Sequence, residues 1–238
     1  MKHLKPTTGL PDGASQDTAD MVQIMLARIA EGGEDVAREY AQNLDRWSGP
    51  ICVGRDDIEA AKPMISDDLR DAIDYAHANI LAFALAQRAT CTEFEVELRP
   101  GLVAGQRQIP LSSAGCYVPG GRYAHIASAL MTITTARAAG VGHVTACSPP
   151  KQGQGIAPAI LYAMDLAGAD TILALGGVQS VAAMANGLFG AQKVDILFGP
   201  GNQFVAEAKR QLFGPTGIDM VAGPTDSMVI ADNTADPL

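Results

Sequence analysis

Between Gly142 and Asn202 the chain alternates three times between a short apolar run and an amphipathic stretch: GHVTACSPP, TILALGG and VDILFGPGN each lead into a helical pattern. The apolar runs are five or six residues long and rich in Val, Ile, Leu and Ala, the composition of strands buried on both faces of a parallel sheet. A right-handed succession of such units brings the loops Ser148-Pro149-Pro150, Gly176-Gly177-Val178-Gln179 and Gly199-Pro200-Gly201-Asn202 to the carboxyl ends of the strands, where open α/β sheets bind ligands. The expected fold class is therefore α/β, with a Rossmann-like parallel sheet.

Upstream the pattern is different. Residues 1–16 are polar and punctuated by Pro and Gly. Met21, Ile24, Met25 and Ile29 then share a helical face that Gly32 and Gly33 close, and a second short helix is expected from Glu34 to about Arg46. Ser66 as N-cap, with Asp67 and Asp68 in the first turn, starts what reads as the longest helix, striped by Leu69, Ile73, Ala76, Ile80, Phe83 and Ala84. From Thr92 the period changes to two. Phe94, Val96 and Leu98 alternate with charged residues up to Pro100-Gly101, which predicts a hairpin leading into a strand that ends at Tyr117. A helix carrying Ile126, Leu130 and Ile133 follows Pro119-Gly120-Gly121, and short strands are expected over 218–221 and 228–231.

Composition narrows the function. A net charge of −9, with 17 scattered Lys and Arg, excludes nucleic acid and anionic membrane as expected partners. The four cysteines are far apart, none forms CxxC, and no 18-residue apolar run is present. A reduced, soluble, cytoplasmic protein with cysteines buried as small hydrophobes is expected. GxGxxG and GxSxG are both absent; Gly153-Gln154-Gly155 fails at the third glycine.

A crevice of glycines, prolines and amides remains, and it suits a dinucleotide, because glycine lets backbone approach a pyrophosphate and helix N-termini offer it N–H groups. Gln179 and Asn202, each just past a glycine turn, are placed either to bind ribose or nicotinamide or simply to cap their helices. Tyr117 reads equally as a site residue and as a half-buried core ring. Arg122 and His125 lie three apart at a helix start, where a cation opposes the helix dipole. They form either a site for a sulfonate, phosphate or carboxylate, or a solvated Arg beside an ordinary His. His3, His77 and His143 lack metal-ligand spacing.

AGCYVPGG, ACSPP, ALGGVQSVAAMA, VDILFGPGNQFVAEAKRQ and GIDMVAGPTDSMVIAD occur in this order, and over most of the chain the sequence resembles the histidinol dehydrogenase family. CYVPGGRYAHIASALM is more similar to the sulfopropanediol 3-dehydrogenase branch, since the histidine-biosynthesis enzymes lack the Arg-Tyr-Ala-His run. The resemblance implies a zinc- and NAD-dependent homodimeric dehydrogenase that oxidises a small anionic primary alcohol to a carboxylate in two hydride transfers. The implied substrate is 2,3-dihydroxypropane-1-sulfonate, with L-histidinol as the alternative. By motif position Tyr117, Gln179 and Asn202 would contact NAD, and Thr225 the substrate, beside Arg122 and His125.

The family's zinc ligands and its Glu-His catalytic pair would lie beyond residue 238, so no catalytic residue is expected within this chain, which reads as an N-terminal part. A truncated, non-catalytic NAD-binding module is the other reading. Asp226 stands where relatives usually carry Glu. The expected organisation is an incomplete helical and β region over 1–112 that belongs to a second, discontinuous α/β domain. A dinucleotide-binding domain over 113–226 follows, and 227–238 begins the return to the first domain.

Overall fold

A computed structural model describes residues 16–120, 124–221, 228, 230–232 and 234–235. Its centre is a parallel sheet of five strands: β3 (Ser113–Tyr117), β4 (His143–Ser148), β5 (Thr171–Ala174), β6 (Ile196–Phe198) and β7 (Gly217–Ile218), once the N-terminal hairpin is counted as β1 (Phe94–Arg99) and β2 (Leu102–Gln106). The spatial order is β5-β4-β3-β6-β7, and every pairing within this sheet is parallel. The chain works outward from β3 to β5, then returns to β3's other side for β6. The reversal makes β3/β6 the topological switch point of a doubly wound α/β fold.

The sheet is covered on both faces because the first two connections lie on one side and the next two on the other. Helices α4 (Ile126–Ala138) and α5 (Pro158–Ala167) bury Leu130, Ile133, Ile160 and Met164 on one face of the sheet. On the other, α6 (Gly177–Asn186) and α7 (Gln203–Leu212) bury Val181, Met184, Val205 and Ala208.

The N-terminal helices form a further layer on each side. Helix α1 (Gln16–Tyr40) sends Val22, Met25 and Ile29 into the core shared with α6 and α7. Helix α2 (Arg55–Ala61) packs on α5, and α3 (Asp67–Ala89) on α4. The Ser66 hydroxyl accepts the Leu69 N–H as the expected cap of α3. Between α1 and α2, residues 51–53 run antiparallel beside β5, with the Val53 N–H donating to Ile172 O at 2.9 Å and the Ala174 N–H to Ile51 O at 2.7 Å.

One expectation holds: the first helical segment closes at Gly32-Gly33, where Gly33 takes the non-helical φ 59, ψ −137 and divides α1, and a second segment runs from Glu34 to Tyr40 before a π-helical turn, Ala41–Asp45. Both parts of α1 belong to the layer on α6 and α7, and because the kink divides its 25 residues, α3 at 23 is the longest uninterrupted helix among the described residues, as expected. Other expectations are corrected. The stripe on α3 buries Ile73 and Ala84 but leaves Phe83 exposed. Cys116 and Cys147 are buried as expected, whereas Cys52 and Cys91 are exposed. The strand expected over 218–221 shortens to Gly217–Ile218. The second, over 228–231, falls partly outside the described residues, and Met228, Ile230 and Ala231 carry no strand pairing. The hairpin forms as expected, with Gly101 in its turn at φ 78.

Candidate functional site

The loops after β3, β4, β5 and β6 meet at one rim of the sheet, the carboxyl ends. Their contacts explain the glycines. A Cβ on Gly120 would lie 3.0 Å from Pro149 O, and one on Gly176 would lie 2.8 Å from Asp45 Oδ1 and 2.9 Å from the Pro149 side chain. Gly199, at φ 110, passes so close to β3 that a Cβ would sit 2.1 Å from Tyr117 O. Gly120, Gly176 and Gly199 let loop meet loop, a use of glycine beside the expected backbone approach to a pyrophosphate.

The helix starts along the rim are unequal. That of α6 has no side-chain cap, and a carboxylate stands beside it: Asp45, at the end of the π-helical turn, accepts the Gly176 N–H at 3.0 Å and the Gln179 Nε2–H at 2.9 Å on the same Oδ2. Burial raises the Asp45 carboxyl above its ordinary value, and those two hydrogen bonds pull the other way. At α7, Asn202 caps its own helix, its Oδ1 accepting the Phe204 and Val205 N–H groups at 3.1 Å each. Of the two readings of Asn202, the structure shows the cap, while a carboxylate rather than a cap stands at the start of α6. At α4, His125 is the N-cap residue and provides no side-chain cap, so among the described residues this is the helix start at the switch point that no side chain fills.

The predicted site residues divide accordingly. Tyr117 and Gln179 are brought together at the start of α6 but are buried, at 5% and 1% exposure. The Tyr117 phenol is raised well above its ordinary value by burial, partly offset by the Gly177 N–H beside it. Gln179 Oε1 is buried without a partner. Asn202 lies exposed at α7 and His125 exposed at α4. Arg122 and Thr225 lie outside the described residues.

Two cavities open along the rim. One of about 310 Å³ lies between α4 and the loop after β6, lined by Ser128, Thr132, Gly199, Pro200 and Asp219. A larger one of about 550 Å³ lies at the β5 end, where Trp47, Met64, Ile156, Leu161 and Ala174 make it largely apolar.

Lys209 and Asp219, which pattern reading missed, hold the β6 loop. Lys209, only 7% exposed along its side chain, donates to Gly199 O at 2.9 Å and pairs with Asp219, whose Oδ2 accepts the Gly199 N–H at 2.9 Å. One signal was available. Lys209 lies four residues after Val205 and directly after Ala208, on the stripe of α7 that packs inward. Asp45 also went unread; its partners are more than 130 residues away in sequence.

No group of three His, Cys, Asp or Glu among the described residues could hold a metal ion. No described helix is long and apolar enough to cross a membrane.

A family profile described as histidinol dehydrogenase matches residues 11–238. The chain belongs to the histidinol dehydrogenase family. Among its relatives are a histidinol dehydrogenase homolog of Ruegeria pomeroyi, 67% identical over 99% of this chain and 54% of that protein, and a sulfopropanediol 3-dehydrogenase of the same organism, 54% identical over 100% of this chain and 54% of that protein. The solved histidinol dehydrogenase of Elizabethkingia anophelis superimposes with a TM-score of 0.84 at 35% identity, covering 95% of this chain and 52% of the other. The chain thus spans about half the length of these family members.

Proposed function

We propose that this protein takes part in the NAD-dependent oxidation of a small anionic primary alcohol to a carboxylate, with 2,3-dihydroxypropane-1-sulfonate giving 3-sulfolactate as the preferred reaction. The balance is one alcohol, two NAD⁺ and one water in, and one carboxylate, two NADH and three protons out. The observation that carries the anionic preference is the α4 start, left without a side-chain cap at the switch point and followed outward by the sequence positions of His125 and Arg122. A helix N-terminus with an adjacent guanidinium is a site for a sulfonate. The 54% identity to a sulfopropanediol 3-dehydrogenase supports the same substrate.

The chain's features fit a dinucleotide. The buried, unpartnered Gln179 Oε1 needs a donor, and the 550 Å³ apolar cavity at the same rim has room for a base. In this reading Tyr117, Gln179 and Asn202 hold NAD within region 113–226, while Arg122, His125 and Thr225 hold the substrate. NAD supplies the hydride acceptor when bound. Tyr117 and Gln179 contribute orientation and exclude water, since both are buried. Zinc finds no donor set among the described residues. A homodimer acting in the cytoplasm is proposed on family likeness, and light scattering tests the dimer.

NADH formation by the protein in its natural full length separates the readings. Turnover with the sulfonated diol and none with L-histidinol supports the proposal, and the reverse assigns histidinol. A melting temperature raised by NAD without turnover of either indicates a non-catalytic module, because a ligand selective for the folded state must stabilise it. Arg122→Ala should weaken the sulfonate by about 1 to 3 kcal/mol, the range for a lost charged hydrogen bond, with NAD affinity kept. Equal loss of both would refute the role of Arg122.

A further inference from the structure

The π-helical turn after α1 delivers a carboxylate to a place that neither the family profile nor the relatives' names account for. We infer that Asp45 is a positioning residue that fixes which end of the Gln179 amide faces the ligand, so that Gln179 offers an acceptor oxygen to an exocyclic amino group of the dinucleotide. The inference rests on the reading that Gln179 touches NAD and adds the polarity of that contact.

The geometry leaves one orientation. Gln179 Nε2 lies 2.9 Å from Asp45 Oδ2, and an ionised carboxylate only accepts, so the nitrogen and not the oxygen must be the atom facing Asp45. The same Oδ2 is held by the Gly176 N–H at 3.0 Å, which fixes the carboxylate as well as the amide. Gln179 Oε1 is then turned away from Asp45, inside a residue 1% exposed, with no protein partner. The neighbour on that side is Gly177, where even a Cβ would stand only 3.1 Å from Oε1. A larger side chain there would crowd the oxygen.

A buried acceptor held in one orientation selects a one-way partner. A ribose hydroxyl both donates and accepts and would be satisfied by either end of a free amide. An aromatic or carboxamide NH₂ only donates, and it alone needs the oxygen forward. A dinucleotide carries such a group at each end, on the nicotinamide carboxamide and on adenine. In Asp45→Asn the new amide can donate to Gln179 Oε1, which lets the glutamine turn over and present its own NH₂ to the ligand.

The test is calorimetric binding of three cofactors: NAD, the 3-acetylpyridine analogue, in which methyl replaces the carboxamide nitrogen, and the hypoxanthine analogue, in which an oxo group replaces the adenine amino group. The wild type should bind NAD at least tenfold more tightly than one of the two analogues, and that analogue names the end that Gln179 reads. Asp45→Asn should bind NAD about tenfold more weakly and shrink that preference to less than twofold, with its fold verified by circular dichroism. Unchanged preference, or equal losses for all three cofactors, would overturn the orienting role while leaving the NAD reading intact. Gln179→Ala with NAD affinity unchanged would instead remove the NAD contact itself.

Discussion

Two sheets in this molecule, one of alternating and one of mostly apolar strands, are treated in opposite ways. Every residue of β3 is buried, as are Val144 to Ser148 in β4, whereas every residue of β1 and β2 is exposed. The alternation in β1 is regular, yet Phe94, Val96 and Leu98 remain 53%, 45% and 61% exposed. Alternation states that a strand has a face to cover, not that the chain covers it. The parallel sheet is covered because its crossover helices lie two on each side and α1 and α3 add a second layer to each. Among the described residues the hairpin receives no comparable layer.

Substitution at matched leucines breaks the comparison most sharply. Leu173 in β5 is fully buried between the sheet and α6, and Leu173→Ala should cost about 4 kcal/mol in urea unfolding, within the range for removing a buried leucine and leaving a cavity. A loss below about 1 kcal/mol would mean that the site collapses or that this core is looser than its packing implies.

The rim should respond next. Lys209→Met keeps much of the side chain's length and apolar stem, but strips Gly199 O of a donor and Asp219 of a cation. Removing one partner of a buried pair costs roughly 3 to 5 kcal/mol; because Asp219 is 28% exposed, about 2 to 3 kcal/mol is expected here, read from the urea midpoint. The β6 loop should also become faster in amide exchange, since both peptide groups of Gly199 depend on this pair. Normal protection of Gly199 in the variant would show that close packing against Tyr117 holds the loop by itself.

Asp45 gives a weaker, pH-dependent effect. Its folded carboxyl lies above its ordinary value, mainly through burial, so the folded chain binds that proton more tightly than the unfolded one. As pH falls between the raised value and the ordinary one, Asp45 therefore adds stability. Glu207 acts in the opposite sense: the Arg210 guanidinium lowers its carboxyl, and the stability it contributes is lost as pH falls through that depressed value. Relative to Asp45→Asn, the wild type should gain stability as pH falls from the raised value toward the ordinary aspartate range, about pH 4. A constant difference over that range would place the Asp45 carboxyl at its ordinary value.

What was legible in the sequence follows from how local each cause is. The parallel strands announced themselves as uninterrupted Val, Ile, Leu and Ala runs, and Ser66 with Asp67 and Asp68 marked α3, because capping lies within one turn. Convergence of the loops followed from connection handedness. The role of Asp45 was illegible for the opposite reason: its donors, Gly176 and Gln179, are reached only after α1 has docked on α6 and α7. Asn202 was half legible, since a residue after a glycine turn and before a helix is equally a cap and a ligand, and the structure shows it capping α7. Gly32-Gly33 was legible for the same local reason as the cap of α3: Gly33 takes a non-helical conformation and divides α1 where the dipeptide predicts a helix end.

The smallest effect tests the hairpin. Leu98 is 61% exposed, and Leu98→Ala should alter stability by no more than about 0.5 kcal/mol, the usual range for a surface position. The value of this measurement lies in its dependence on concentration. If the hairpin is as open in solution as in the structure, the small effect is the same at every protein concentration. If a second copy of the chain covers Phe94, Val96 and Leu98, the wild type gains stability with concentration by mass action and the variant gains less. A loss that starts near zero in dilute solution and grows at high concentration would turn the contrast between the two sheets from a property of the fold into one of its assembly.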